Sequence, residues 1–138
     1  MKLIIKYLTL GTFGGMLYFF MEIVYRGYSY FASFLMGFVA FILCGLLNEI
    51  LDWDTSLLLQ MFIGSIGIIV IEFFTGCIVN LWLGLNQWDY SNLPFNLWGQ
   101  ICLLFYFIWY ALAGVAIVLD DYIRYWFFGE EKPRYKLI

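Results

Sequence analysis

The chain has 138 residues, of which 64% are hydrophobic, 23% aromatic and 12% charged, with a formal net charge of −3 and no His. A soluble domain carries roughly 45–50% apolar and roughly 25% charged residues, so this composition excludes a water-soluble globule and predicts an integral membrane protein. A negative balance without a long Lys/Arg cluster excludes nucleic acid as a partner, and the lack of His removes the commonest metal ligand and the usual general base near neutral pH.

In chain order, Lys2 and Lys6 precede the first apolar run, as they would in a signal peptide. No small-x-small cleavage site follows, so the run is read as a retained first span. A bilayer core needs about 20 mostly apolar residues per helix. Four stretches meet that length, at about 7–25, 30–51, 56–81 and 97–119. The runs are continuous, not alternating, which predicts helices and not a barrel. The breaks between them are short and polar: Arg26-Gly27, Asp52-Trp53-Asp54, and 85–96 with Pro94. After Asp120-Asp121 comes the aromatic stretch Tyr122–Phe128, too short to span and suited to the headgroup boundary. The predicted fold is therefore all-α: a four-transmembrane-helix bundle with a C-terminal interfacial aromatic segment, one integral membrane domain over 1–138. Cys44, Cys77 and Cys102 form no C-x-x-C pair and are read as packing residues, with neither metal nor cofactor expected.

With four spans both ends share one side, which then holds six of the seven basic residues, leaving only Arg26 opposite. The positive-inside rule places both termini in the cytoplasm, most simply of a bacterial plasma membrane.

Lipid provides no hydrophobic drive for helices to associate, so small and polar residues mark the packed faces. Span one carries Gly11, Gly15, Tyr18, Glu22 and Arg26 on one face, and span two Ser33, Gly37, Ala40, Cys44 and Asn48. Span three carries Ser65, Ile68, Glu72, Thr75, Gly76 and Asn80; span four begins with Asn96, Gly99 and Gln100. Glu22 lies sixteen residues after Lys6, and Glu72 sixteen after Ser56. At about 1.5 Å per residue both stand about 24 Å up parallel spans, in the outer third of the hydrocarbon. An unpaired carboxylate there costs several kcal/mol, from roughly 2.5 upward. Arg26 has the spacing to pair with Glu22, which leaves one negative charge in surplus. Asp89 adds an acid nearby, and Asn80, Asn96 and Gln100 add neutral hydrogen-bonding groups. These residues predict an outward-opening polar cavity among spans one, three and four.

The stretch from Glu72 to Trp109 carries a recognisable pattern: Glu72-Phe-Phe-Thr75-Gly76, then Trp88-Asp89-Tyr90-Ser91, then Pro94-Phe95-Asn96-Leu97-x-Gly99-x-Ile101-Cys102, then Trp109. With Glu22-Ile-Val-Tyr25-Arg26 in span one, it resembles the CmpB-like membrane proteins catalogued as Putative ABC-transporter type IV. The resemblance covers most of the chain and implies a transporter-type membrane protein. The chain departs from the family pattern at three places. Asn80 stands where the family usually has a second acid, Asn86-Gln87 where it tends to have Arg-Trp, and Gln100 where it often has Arg. No Walker-type Gly-rich loop with Lys is present, so any ATP drive would come from a separate subunit.

The functional expectation is a small transporter or permease-like module. It binds a polar or cationic solute, or a lipid head group, in an acidic outward-facing cavity. The candidate ligand-binding residues are Glu22, Arg26, Glu72, Thr75, Asn80, Trp88, Asp89, Tyr90, Asn96 and Gln100. Its partners are the lipid bilayer and either further copies of itself or another membrane subunit, since four helices barely enclose a path. The alternative is a structural or accessory subunit whose polar network only packs helices. An enzymatic role is less favoured, because no nucleophile–base pair is evident.

Overall fold

A computed structural model describes all residues, 1–138. Four helices form the bundle: α1 (Lys2–Arg26), α2 (Phe31–Ile50), α3 (Leu57–Gly76) and α4 (Leu103–Phe128). Each is long and apolar enough to cross a membrane, α3 together with the π-helical turn Cys77–Trp82 that extends it. The boundaries follow local chemistry. Gly27 ends α1 at φ +82, a left-handed position that glycine adopts without steric cost, and its N–H donates to the Ile23 carbonyl. Ser56 caps α3, its Oγ accepting from the Leu59 N–H at 3.3 Å. Gly129 ends α4 at φ +66, and the Glu130 N–H returns to the Arg124 carbonyl.

The helices associate through small residues. Gly14 and Gly37 face each other across α1 and α2, and a Cβ at Gly14 would lie 2.1 Å from Cβ of Phe41. Gly11 sits against the Phe38 ring and Gly15 against Phe34. The Gly11-x-x-x-Gly15 stripe is thus consumed inside the bundle, where backbone approach maximises dispersion contact. Cys44, Leu47, Ile68, Trp109, Ala113 and Ile117 make the buried core where α2, α3 and α4 meet.

The fourth helix differs from expectation at both ends. It starts at Leu103, not Leu97. Residues 96–102 form a small antiparallel hairpin in which Asn96 pairs with Cys102 and Leu97 with Ile101. Trp98 and Gly99 both have positive φ, +55 and +71, as a tight hairpin turn demands and a helix forbids. At its other end α4 runs through Asp120-Asp121 to Phe128, so the aromatic stretch is its last two turns. Those acids do not end the helix because partners within the bundle compensate them.

Lys6 near the start of α1 pairs with Glu130 just after α4, which puts both termini at one end of the bundle.

Candidate functional site

The opposite end gathers the predicted acids. Arg26, in the last turn of α1, pairs with Glu22 one turn earlier. Its Nη1 also donates to the Gln87 carbonyl at 3.3 Å and its Nε to the Tyr28 carbonyl at 3.2 Å. The guanidinium lies over the Tyr28 and Tyr30 rings, 4.7 and 5.3 Å from their centroids. Arg26 therefore ties the end of α1 to two loops while neutralising Glu22.

Glu72 is treated differently. It is 2% exposed, on the face of α3 turned towards α4. Its Oε1 accepts from the Tyr90 hydroxyl at 2.9 Å and its Oε2 from the Trp109 Nε1–H at 2.9 Å. No basic side chain stands within ion-pair distance of it. Tyr90 is fixed by stacking on Phe105, centroids 4.6 Å apart. Burial, with the Glu72 carboxylate beside it, pushes the Tyr90 phenol far above its ordinary range, so Tyr90 remains a donor. Tyr18 of α1 packs on Trp109, 5.2 Å between centroids, within electrostatic reach of both Glu22 and Glu72.

The other predicted residues build the loop over this end. Where α3 loosens into its π-helical turn, Asn80 points inward: its Nδ2 donates to Gln100 Oε1 at 2.8 Å and its Oδ1 accepts the Gln87 N–H at 2.7 Å. Trp88 Nε1 donates to the Gln100 carbonyl at 3.1 Å. Asn96 holds the hairpin, with Oδ1 accepting from Gly99 N–H and Nδ2 donating to the Leu93 carbonyl. Asp89 is exposed and turns on its own loop. The Ser91 N–H donates to its Oδ1 at 2.8 Å and holds its carboxyl below the usual carboxylate range. Thr75 is half-buried on α3. Of the ten candidates, Glu22, Arg26, Glu72 and Tyr90 thus gather around the charged centre. Asn80, Trp88, Asn96 and Gln100 knit the covering loop.

The cavity beside this centre is not the polar one expected among spans one, three and four. It has a volume of about 70 Å³ and is lined by all four helices. Twelve of its fifteen lining residues are hydrophobic, and Glu72 is the only charged one. The predicted amides do not line it because the loop consumes them in its own hydrogen bonds. Small residues at Gly14, Gly37 and Ala40 leave the space, and Tyr18, Trp109 and Glu72 form one wall.

The chain matches the family described as Putative ABC-transporter type IV over residues 7–130. It belongs to that family. No curated protein and no solved structure matches it. As a member of the Putative ABC-transporter type IV family with four apolar helices, it is a transporter-like integral membrane protein. Asn80 and Gln100, two of the positions at which the sequence departs from the pattern it resembles, touch each other here as a neutral amide pair.

Sequence reasoning missed a second polar centre in this Putative ABC-transporter type IV chain, at the end that carries the termini. Asp120 is fully buried and pairs with Arg124, itself 1% exposed. Gly45 of α2 makes room: a Cβ there would lie 2.2 Å from Asp120 Cγ. Asp121 Oδ2 accepts from Asn48 Nδ2 at 2.5 Å and from the Tyr135 hydroxyl at 2.8 Å. Glu49 and Glu130 lie 3.7 and 3.8 Å from Arg124 Nη1, and the guanidinium sits over the Tyr7 ring. The signal was available in the four-residue spacing of Asp120 and Arg124, but it is visible only if the helix is continued past Leu119.

Proposed function

We propose that this protein is a transport module that holds a cationic ligand at Glu72, on the side of the membrane away from its termini. One observation carries the reading: a buried carboxylate on a cavity wall, held by two neutral donors and matched by no basic side chain. A carboxylate inside a membrane is costly unless hydrated, protonated or met by a cation, and Tyr90 and Trp109 supply hydrogen bonds without supplying charge. Glu22 is balanced by Arg26, so Glu72 remains as the attractive group. The basic residues at the terminal end favour a cytoplasmic location for both termini, in a bacterial plasma membrane. Repeated copies or a further membrane subunit would complete a path that four helices alone barely enclose.

The test is uptake of small organic cations by proteoliposomes containing the wild type or Glu72→Gln, with a melting curve for each. Transport should fall at least about tenfold in the variant, the equivalent of about 1.4 kcal/mol, while the melting temperature stays within a few degrees. A second reading follows from the satisfaction of both Glu72 oxygens within the protein, which suits an accessory subunit with a packing network. In that case the variant would melt lower and no flux would depend on Glu72.

A further inference from the structure

We infer that the Glu72 cavity takes a monovalent organic cation with an apolar body, entering sideways from the bilayer between α1 and α4. This rests on the reading of Glu72 as the ligand carboxylate and adds the class of ligand and its route. The apolar lining disfavours a hydrated polar solute, which would lose its water and find only one carboxylate in return. A divalent metal ion is disfavoured because no group of three acidic or sulfur ligands gathers anywhere in the chain. An anion would meet Glu72 as a like charge. A cation whose charge is spread over methyl groups suits the walls, with Glu72 opposite its charge and the Tyr18 and Trp109 rings beside it; the cavity's volume of about 70 Å³ leaves the apolar body to the groove outside.

The route is given by shared residues. Leu17 and Met21 line the cavity and also line a groove on the outer face of α1 that continues over Phe20 and Val24 to Tyr25. Met21 and Val115, on the cavity lining, are 39% and 50% exposed on the flank of the bundle. Helix α1 packs along α2, touches α4 little and α3 less, so the bundle is least closed on the side of α1 away from α2, and the exposed Val115 puts the mouth of the cavity there beside α4. An amphiphile dissolved in the bilayer would reach Glu72 along this groove without crossing the loop that covers the end.

The full chain in phosphatidylcholine nanodiscs is tested with tritiated n-decyltrimethylammonium, with empty nanodiscs as baseline. Saturable binding is expected, weakened at least about tenfold by Glu72→Gln, the loss of one charge interaction. Tetramethylammonium, which has the charge without the tail, and n-decanesulfonate, which has the tail with the opposite charge, should compete poorly. Leu17→Trp keeps Glu72 and both its donors but narrows the groove, and should slow association of the decyl compound by about tenfold or more. Equal competition by tetramethylammonium, with its binding dependent on Glu72, overturns this inference and leaves the proposed function standing. Equal competition by n-decanesulfonate overturns the inference by showing a charge-blind apolar crevice. Unchanged association in Leu17→Trp overturns the lateral route. If neither ammonium binds in a Glu72-dependent way, both readings are overturned.

Discussion

At the scale of single residues, the protein treats its intramembrane charges in two ways. Asp120 and Arg124 neutralise each other almost without solvent, with Glu49, Glu130 and Lys6 nearby. Removing one partner of such a pair leaves an unmatched buried charge, whereas removing both leaves only a packing defect. Arg124→Leu should therefore destabilise by about 3–5 kcal/mol, and adding Asp120→Leu should restore a large part of that loss. Equilibrium unfolding in mixed micelles measures both, and simple additivity of the two single changes would show that the residues do not act as a pair. Glu72, by contrast, has donors, no ion pair and a cavity beside it, whereas Asp121 shares the neutral donors and the lack of an ion pair but not that cavity; the cavity is the reason to place ligand chemistry at the Glu72 end.

At the scale of elements, glycine decides how closely α1 and α2 approach. A methyl group at Gly14 has nowhere to go, since Phe41 and the Gly37 carbonyl already occupy the space. Gly14→Ala should cost about 1–3 kcal/mol, as overpacking does. Gly27 has open space around it, and its positive φ suits Asn, so Gly27→Asn should remain within about 0.5 kcal/mol of wild type. Thermal melts of the two variants compare them directly; equal losses would mean that helix approach is not what the glycines provide. The π-helical turn is the other decisive element. It turns Asn80 towards Gln100 and so fastens the long loop that delivers Tyr90 to Glu72.

At the scale of the whole molecule, the C-terminal tail closes the bundle at the terminal end. The Leu57 N–H donates to the Lys136 carbonyl at 2.7 Å, and Ser56 Oγ donates to the Leu137 carbonyl at 3.0 Å. Tyr135 reaches Asp121 and packs edge-on against Trp53. The tail thus satisfies donors that the first turn of a helix leaves open. Removing residues 130–138 should speed hydrogen exchange at Leu57 and Leu58 and lower the melting temperature, while the Tyr90 hydroxyl stays bonded to Glu72. Unchanged exchange at those amides would mean that the tail is only lying against the surface.

Composition and run length were sufficient for the membrane, the four helices and the shared side of the termini, because each depends on local hydrophobicity and on backbone groups that must pair within their own segment. The i,i+4 pairing of Glu22 with Arg26 was equally local. Local signals failed where partners distant in sequence decide the outcome. Asp120-Asp121 look like the end of a span until Arg124, Asn48 and Tyr135 surround them. Asn80 and Gln100 read as isolated amides until the fold bonds one to the other and to the Gln87 N–H and the Trp98 carbonyl. Only the tertiary structure brought Tyr90 and Trp109 to Glu72 and left an apolar cavity beside it, because a buried charge is costly or tolerable according to what the rest of the chain places within hydrogen-bonding distance.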